Sequence, residues 1–296
     1  MIKKYLIDNP QRRVFAAFAF IIICWGIAVP INKIGLNYLS PLWYTAMRLV
    51  VGTLTMMLLV LALDKFTWPD RRDIPLIVVI GTIQIALYVV FLNLGLAYMP
   101  AAQASILSYT TPLWVMPLGI LFFQEKPRPS QWIGFLCGLV GLGLLLAPWQ
   151  INWSNHDILF GAAMALLSSL AWAVSILCAR YMHWHKSPLE LLPWQLLLGT
   201  IPILMLAWYK EPLSAAQWNW SLILSLAYMG TIVAALSYWA SLIVNKELPP
   251  LTVSLGGLLV PLLSLVTSAF FLHETISVTM LAAMGFILAG VVCVVM

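Results

Sequence analysis

Arg48 and Lys33 are long cationic side chains set inside apolar runs. Arg48 lies about six residues into the second run, a depth of about 9 Å at 1.5 Å per helical residue. Lys33 lies about four residues from the end of the first run, at the same 1.5 Å spacing. A guanidinium at the centre of a bilayer costs roughly 2.5–3.5 kcal/mol on insertion scales. An arginine kept there needs an anion or a way out to the interface. The chemistry it offers is recognition of a carboxylate or another anionic group. The bland alternative for both is snorkelling, since each side chain is long enough to reach the interface. Position favours snorkelling for Lys33 and leaves Arg48 open between the two.

A second set of groups is polar or aromatic and falls mid-run. Gln84 and Tyr88 are four apart and share one helix face. Ser105 and Tyr109 do the same in the next run, and Trp172 pairs with Ser175 in a later one. Trp25, Gln195, Tyr238 and Trp239 complete the set. In lipid such groups face protein or water, and ordinary interhelical hydrogen bonding is their default use. Taken together, aromatic faces with hydroxyls and amides suit a small amphipathic solute. The candidate binding residues are therefore Trp25, Arg48, Gln84, Tyr88, Ser105, Tyr109, Trp172, Ser175, Gln195, Tyr238 and Trp239.

Catalytic constellations do not emerge from the sequence. The ten acidic residues and the four histidines all fall in loops or at the ends of apolar runs. No HExxH, Walker loop or nucleophile elbow is present. The four cysteines, Cys24, Cys137, Cys178 and Cys293, lie in apolar runs without a CxxC pair and read as small core residues. The expectation is a protein that is not an enzyme, with no catalytic residue, no metal and no cofactor.

The elements that must position these groups follow from composition. The chain is 62% hydrophobic and 8% charged, with a mean hydropathy of +0.97. Soluble domains carry roughly 25% charged residues, so the solvent of this chain is lipid. Helical spans of about 20 residues are expected near 14–36, 42–63, 74–97, 102–123, 130–147, 158–180, 188–208, 220–243, 251–271 and 278–296. The apolar run after the basic N-terminus is too long for a removed signal and reads as the first span. With the N-terminus inside, twelve Lys and Arg fall in inner segments, and only Lys210 falls outside. Both termini are therefore expected in the cytoplasm. The basic segment containing Lys3, Lys4, Arg12 and Arg13 fits anionic membrane lipid, not nucleic acid.

The chain also repeats itself. Shifted by 147 residues, Trp25 meets Trp172, Lys33 meets Arg180, Ser40-Pro41-Leu42 meets Ser187-Pro188-Leu189, and Gly52-Thr53 meets Gly199-Thr200. Shifted by 149, Gly81-Thr82-Ile83 meets Gly230-Thr231-Ile232, Pro100 meets Pro249, Ser105 meets Ser254, Pro112-Leu113 meets Pro261-Leu262, and Glu125 meets Glu274. An odd number of spans per half inverts the second half in the membrane, and inverted repeats are a transporter signature. Gly134, Gly138 and Gly141 give the fifth span a face for close packing, read as internal.

The stretch from Gly95 through Pro112 to Glu125, its counterpart from Pro249 through Pro261 to Glu274, and the opening Trp25-Gly26 resemble the EamA-type pattern of the drug/metabolite transporter superfamily. The resemblance spans nearly the whole chain as two tandem units. It implies an all-α integral membrane fold of about ten transmembrane helices, two inverted five-helix repeats around a central cavity. The parts are a cytoplasmic segment 1–13, a first repeat 14–147 and a second repeat 158–296. It further implies alternating-access transport of amino acids or related amphipathic compounds, with export as the expected direction and a bacterial inner membrane as the location. The small multidrug members carry a glutamate in the first helix; this first span has none, so their proton exchange is not carried over. The partners expected are a small-molecule substrate and membrane lipids, with a monomer consistent with the sequence. The rival readings are a membrane enzyme acting on lipid-like substrates and a membrane sensor. The first needs an acidic or histidine-rich cluster and the second larger loops or a signalling domain, and neither explains a duplicated half.

Overall fold

The computed structural model describes residues 10–99, 101–211, 217–272 and 278–295. Lys3, Lys4, Pro100 and Glu274, which entered the reading of topology and repeat, and His273, one of the four histidines, lie outside the described residues. The described residues are helical, with no strand among them. Helix α1 spans Pro10–Leu36, α2 Pro41–Ala62, α3 Ile74–Tyr98, α5 Pro129–Leu146, α6 His156–Tyr181, α7 Pro188–Lys210, α8 Trp220–Glu247 and α10 Val278–Val295. The fourth and ninth spans are each broken: α4a is Ala101–Ser108 and α4b Thr111–Phe123, while α9a is Pro250–Gly256 and α9b Leu259–Leu272. Among the described residues nine helical stretches are long and apolar enough to cross a membrane, and a tenth, Val278–Val294, is shorter. The protein is an integral membrane protein.

Prolines open α2, α4b, α5, α7 and α9a, where a missing N–H costs nothing and φ is already helical. The repeated Ser-Pro-Leu starts are capped differently. On α7, Ser187 Oγ accepts from Glu190 N, and Glu190 Oε2 accepts from Ser187 N at 2.9 Å, a closed capping box. On α2 the residue matching Glu190 is Trp43, which cannot close such a box. There the Glu211 carboxylate accepts from Leu42 N at 3.0 Å and Trp43 N at 3.2 Å, and Trp43 Nε1 donates to the Glu211 carbonyl at 2.8 Å.

Two compact units emerge, and each draws on both halves of the sequence. The first comprises Met1–Gly81 and Ala179–Leu248, hence α1, α2, the start of α3, α7 and α8; the second comprises Thr82–Cys178 and Pro249–Met296. In the first unit α2 packs along α7. Thr53 and Thr200, counterparts in the repeat, meet there with their hydroxyls 3.2 Å apart. Gly81 and Gly230, also counterparts, let neighbouring backbones come close. A Cβ on Gly81 would lie 2.8 Å from the Gln195 carbonyl oxygen, and one on Gly230 2.4 Å from Val51 and 3.1 Å from the Arg48 carbonyl oxygen. On the side of the α2–α3 connection, buried Asp73 accepts from His185 N at 3.0 Å, Lys186 Nζ donates to the Trp68 carbonyl, and Trp68 lies against Trp194 at 5.1 Å.

In the second unit α5 and α10 form the most extensive helix pair. A Cβ on Gly134 would sit 2.6 Å from the Gly290 carbonyl oxygen, and one on Gly141 2.9 Å from that of Ala283. The glycine face of α5 is thus used internally, as expected from its spacing. Leu142, Phe135, Leu255, Leu258 and Ile287 form the apolar core around it.

Candidate functional site

Two wide-turn segments set the positions of the aromatic candidates. Within α3, Val79–Leu87 is π-helical, and within α8, Tyr228–Ser237 is π-helical. They are repeat counterparts, and α-helical geometry resumes at Tyr88 and at Tyr238. Long π stretches are rare and concentrate at functional sites. Each resuming tyrosine lies tilted against the tryptophan of another span. In the first unit Tyr238 lies 6.1 Å from Trp25, and in the second Tyr88 lies 5.0 Å from Trp172, ring centre to ring centre. The sequence reading chose these four residues separately; the structure joins them as two pairs. Tyr228, at the start of its π segment, donates to the Cys24 carbonyl at 3.0 Å, which ties α8 to α1 beside the first pair.

In the first unit Arg48 is partly exposed, and its buried Nε has no hydrogen-bond partner. Among the described residues no carboxylate lies within ion-pairing distance of it. Tyr44, one turn earlier on the same face of α2, is buried, with the Ser225 hydroxyl and the Arg48 charge near its own hydroxyl. The ring is seated against Gly35, where a Cβ would come within 2.2 Å of it. Gln195, the counterpart of Arg48 on α7, is 0% exposed, with neither Oε1 nor Nε2 satisfied. Trp239 is partly buried, next to Tyr238. Lys33 is exposed in the last turn of α1. Its counterpart Arg180 donates to the Lys246 carbonyl at the C-terminal end of α8, a capping role that suits a cation there.

In the second unit Gln84 is 0% exposed within the π segment of α3, and both its amide atoms are unsatisfied. Ser105 is exposed on α4a, and Tyr109 is partly exposed at the break in the fourth span. Ser175 is buried, and its hydroxyl is committed to the Trp172 carbonyl at 2.7 Å, which fixes the backbone under that tryptophan. Among the described residues no group of three or more His, Cys, Asp or Glu could hold a metal ion.

Two contributors escaped the sequence reading. Tyr44 has nothing in its local pattern to set it apart from an interfacial tyrosine; only its place one turn from Arg48 could have raised it. Ser169 on α6 is the other. Its Oγ accepts from Trp114 Nε1 at 2.8 Å and lies 2.9 Å from Thr110 Oγ1, so one serine secures the break between α4a and α4b. Serines mid-helix usually bond their own backbone, as Ser169 also does to Leu166 at 2.9 Å.

Comparison with known proteins places this architecture. A model of the EamA-like transporter family matches the chain twice, over residues 14–147 and 159–296. The chain belongs to the EamA-like transporter family. This EamA-like chain is 26% identical to the uncharacterized transporter YvbV of Bacillus subtilis, over 95% of its own length and 91% of the relative's. It is 25% identical to a protein of Salmonella typhimurium named "Probable amino-acid metabolite efflux pump", covering 91% of this chain and 90% of that one. An Escherichia coli protein of the same name is 23% identical, over 87% and 86%. A crystal structure of 18% identity superposes with a TM-score of 0.81 over 96% of this chain and 98% of that one, which speaks for the fold alone. The two family matches both contribute helices to each compact unit of this EamA-like protein, so sequence repeat and compact unit are different divisions of the chain.

Proposed function

We propose that this chain exports small amphipathic carboxylates, amino acids and related metabolites among them, by alternating access between its inverted repeats. Arg48 binds the carboxylate. The observation that carries this reading is the state of Arg48: a guanidinium several residues inside a membrane span, without a carboxylate partner among the described residues and with an unsatisfied buried Nε. A cation so placed is stabilised when an anion arrives. Tyr44, one turn from Arg48 on the same face, supplies a second hydroxyl donor for a carboxylate oxygen.

The Trp25–Tyr238 pair, in the same unit as Arg48, provides aromatic surface for the apolar part of such a solute. Relatives named as amino-acid metabolite efflux pumps support the same class of cargo and the outward direction. The excess of Lys and Arg in the segments on the side of the termini supports a cytoplasmic location for both ends, in a bacterial inner membrane. Small solute and lipid are the proposed partners, and a monomer is the proposed working unit.

The test is export profiling. Cells expressing the wild type and Arg48→Gln at matched membrane levels are compared for metabolites in the medium. Selective accumulation of an amino acid or related acid, lost in Arg48→Gln, supports the reading. Equal accumulation by both removes Arg48 from the site, and no selective accumulation by the wild type removes the proposed cargo.

A further inference from the structure

Arg48 and Gln195 occupy the same place in two inverted helices. Each lies five residues before the threonine of its helix that meets its own counterpart, Thr53 on α2 and Thr200 on α7. Each turns its carbonyl oxygen toward the equivalent glycine, Gly230 for Arg48 and Gly81 for Gln195. The two helices run in opposite directions past that crossing. Five residues back along each leads to opposite sides of it, about 15 Å apart in total at 1.5 Å per residue. Arg48 therefore falls in the half of the membrane away from the termini and Gln195 in the half next to them.

Their surroundings differ although their positions are equivalent. Arg48 is partly exposed, whereas Gln195 is sealed, with both amide atoms buried and unsatisfied. The second unit carries the same difference independently. Ser105 is exposed and Tyr109 partly exposed on the side away from the termini. Their counterparts on α9, Ser254 and Leu258, are buried at 5% and 1% exposure. In each of these three pairs the member away from the termini is the more exposed one. Inverted repeats move between states by exchanging shapes, so each residue takes on the surroundings its counterpart has now. A buried amide with two unsatisfied atoms is unfavourable in any state that keeps it so. In the exchanged state, Gln195 becomes accessible and finds partners.

We propose that Gln195 is a second binding position for the transported solute, opposite in sidedness to Arg48, closed in the conformation described and exposed when the repeats exchange shapes. This rests on the carboxylate reading of Arg48 and adds to it the chemistry of the second position. A guanidinium only donates, so Arg48 addresses the carboxylate alone. An amide both donates and accepts, so Gln195 addresses the carboxylate and the ammonium of a zwitterion. An ionised carboxylate makes charge-assisted hydrogen bonds with either group, but the guanidinium adds a full positive charge and a two-pronged fit. The carboxylate is then held about tenfold less tightly at Gln195 than at Arg48, a difference of about 1.4 kcal/mol.

The test uses the full chain with Cys24, Cys137, Cys178 and Cys293 replaced, and single Arg48→Cys, Gln195→Cys or Leu196→Cys changes. A membrane-impermeant thiol reagent is applied to right-side-out and inside-out vesicles, with and without a mixture of the protein amino acids lacking cysteine. Expected labelling of Arg48→Cys is from the face away from the termini and of Gln195→Cys from the face of the termini, the latter slowed severalfold by the mixture, which Arg48 still holds in that variant. Leu196→Cys, on the same turn but 0% exposed against the protein, is expected to label from neither.

Labelling of Arg48→Cys with none of Gln195→Cys from either face overturns the proposal and leaves the carboxylate reading standing. Labelling of Gln195→Cys that the mixture does not slow also overturns it. Full export by Arg48→Gln overturns the carboxylate reading itself. In the native background, Gln195→Leu removes an unsatisfied amide and is expected to keep the wild-type protein level while export falls severalfold, with Gln195→Asn intermediate. Full export by Gln195→Leu contradicts the proposal, even where the thiol variant fails to accumulate.

Discussion

The hydroxyls of Thr53 and Thr200 lie 3.2 Å apart, and the two residues are counterparts in the internal repeat. A residue that touches its own counterpart sits on the pseudo-two-fold axis relating the halves. The same symmetry recurs where α5 meets α10. The approach of Gly134 to Gly290 is matched by that of Gly141 to Ala283, and a shift of 149 turns one pair of positions into the other. The two halves thus match in single contacts and not only in helix order.

The threonine contact itself should contribute little. Thr53 Oγ1 also donates to the Leu49 carbonyl at 2.8 Å and Thr200 Oγ1 to that of Leu196 at 2.6 Å. Each hydroxyl has one proton, so the contact between them competes with bonds to their own helices. A double-mutant cycle of Thr53→Val and Thr200→Val, read by thermal unfolding in detergent, is expected to give a coupling at or below the average of about 0.6 kcal/mol for interhelical hydrogen bonds in membranes.

Glycine positions should separate by what faces them. Gly134→Ala sets a Cβ 2.6 Å from the Gly290 carbonyl oxygen, and Gly290→Ala sets one 2.7 Å from that of Gly134. Backbone cannot yield as a side chain does, so each is expected to cost about 1–3 kcal/mol, the usual range for overpacking. Gly143→Ala meets nothing within 4 Å and should stabilise by up to about 1 kcal/mol through helix propensity. Unfolding temperatures of the three variants in one detergent check the order.

Ser169 should prove structurally important despite its ordinary appearance in the sequence. Ser169→Ala removes the acceptor for Trp114 Nε1 and the neighbour of Thr110 at the break in the fourth span. Leaving a partly buried donor unsatisfied costs about 1–3 kcal/mol. Hydrogen exchange should rise around residues 107–114 in the variant, with little change in α5.

The helix count, the inverted repeat and the pairing of Gly52-Thr53 with Gly199-Thr200 were legible in the sequence. Apolar length and rare matching residues report directly on membrane span and duplication. The π segments of α3 and α8 were not legible, because apolar residues fill every face there and leave no period to read. The breaks at residues 109–110 and 257–258 were hidden for a related reason: each break falls between apolar stretches that form one hydropathic span. The cap of α2 by Glu211 depends on a partner 169 residues away, and no local signal points to it. Of the site candidates, Ser175 illustrates the limit most plainly. Its type and spacing suit a cavity, yet its hydroxyl is committed to the carbonyl of Trp172.

The connection between α2 and α3 should respond to acid. The Asp70 carboxyl lies below the ordinary carboxylate range, chiefly because Arg72 N donates to it at 2.9 Å, with the charges of Arg72, His185 and Lys186 adding to the effect. A lowered folded value means that its contribution is present above the unfolded carboxylate pKa and fades as pH falls through the folded one. Amide exchange over residues 64–73, corrected for the intrinsic pH dependence, should speed up on acidification below that range in the wild type. In Asp70→Ala, which has no acceptor for Arg72 N, it should already be fast at neutral pH and stay flat.

The central claim is that Arg48 binds a transported carboxylate, and counterflow in proteoliposomes tests it most directly. Purified wild type and Arg48→Gln, matched for reconstituted amount, are loaded with a mixture of unlabelled amino acids and supplied outside with the same mixture in labelled form. The account predicts wild-type exchange of one or a few amino acids, lowered at least about tenfold in Arg48→Gln, as the loss of roughly 1.4 kcal/mol or more of binding requires, with folding and melting unchanged. Undiminished exchange by Arg48→Gln would contradict it, because the cation inside the span would then play no part in holding the solute.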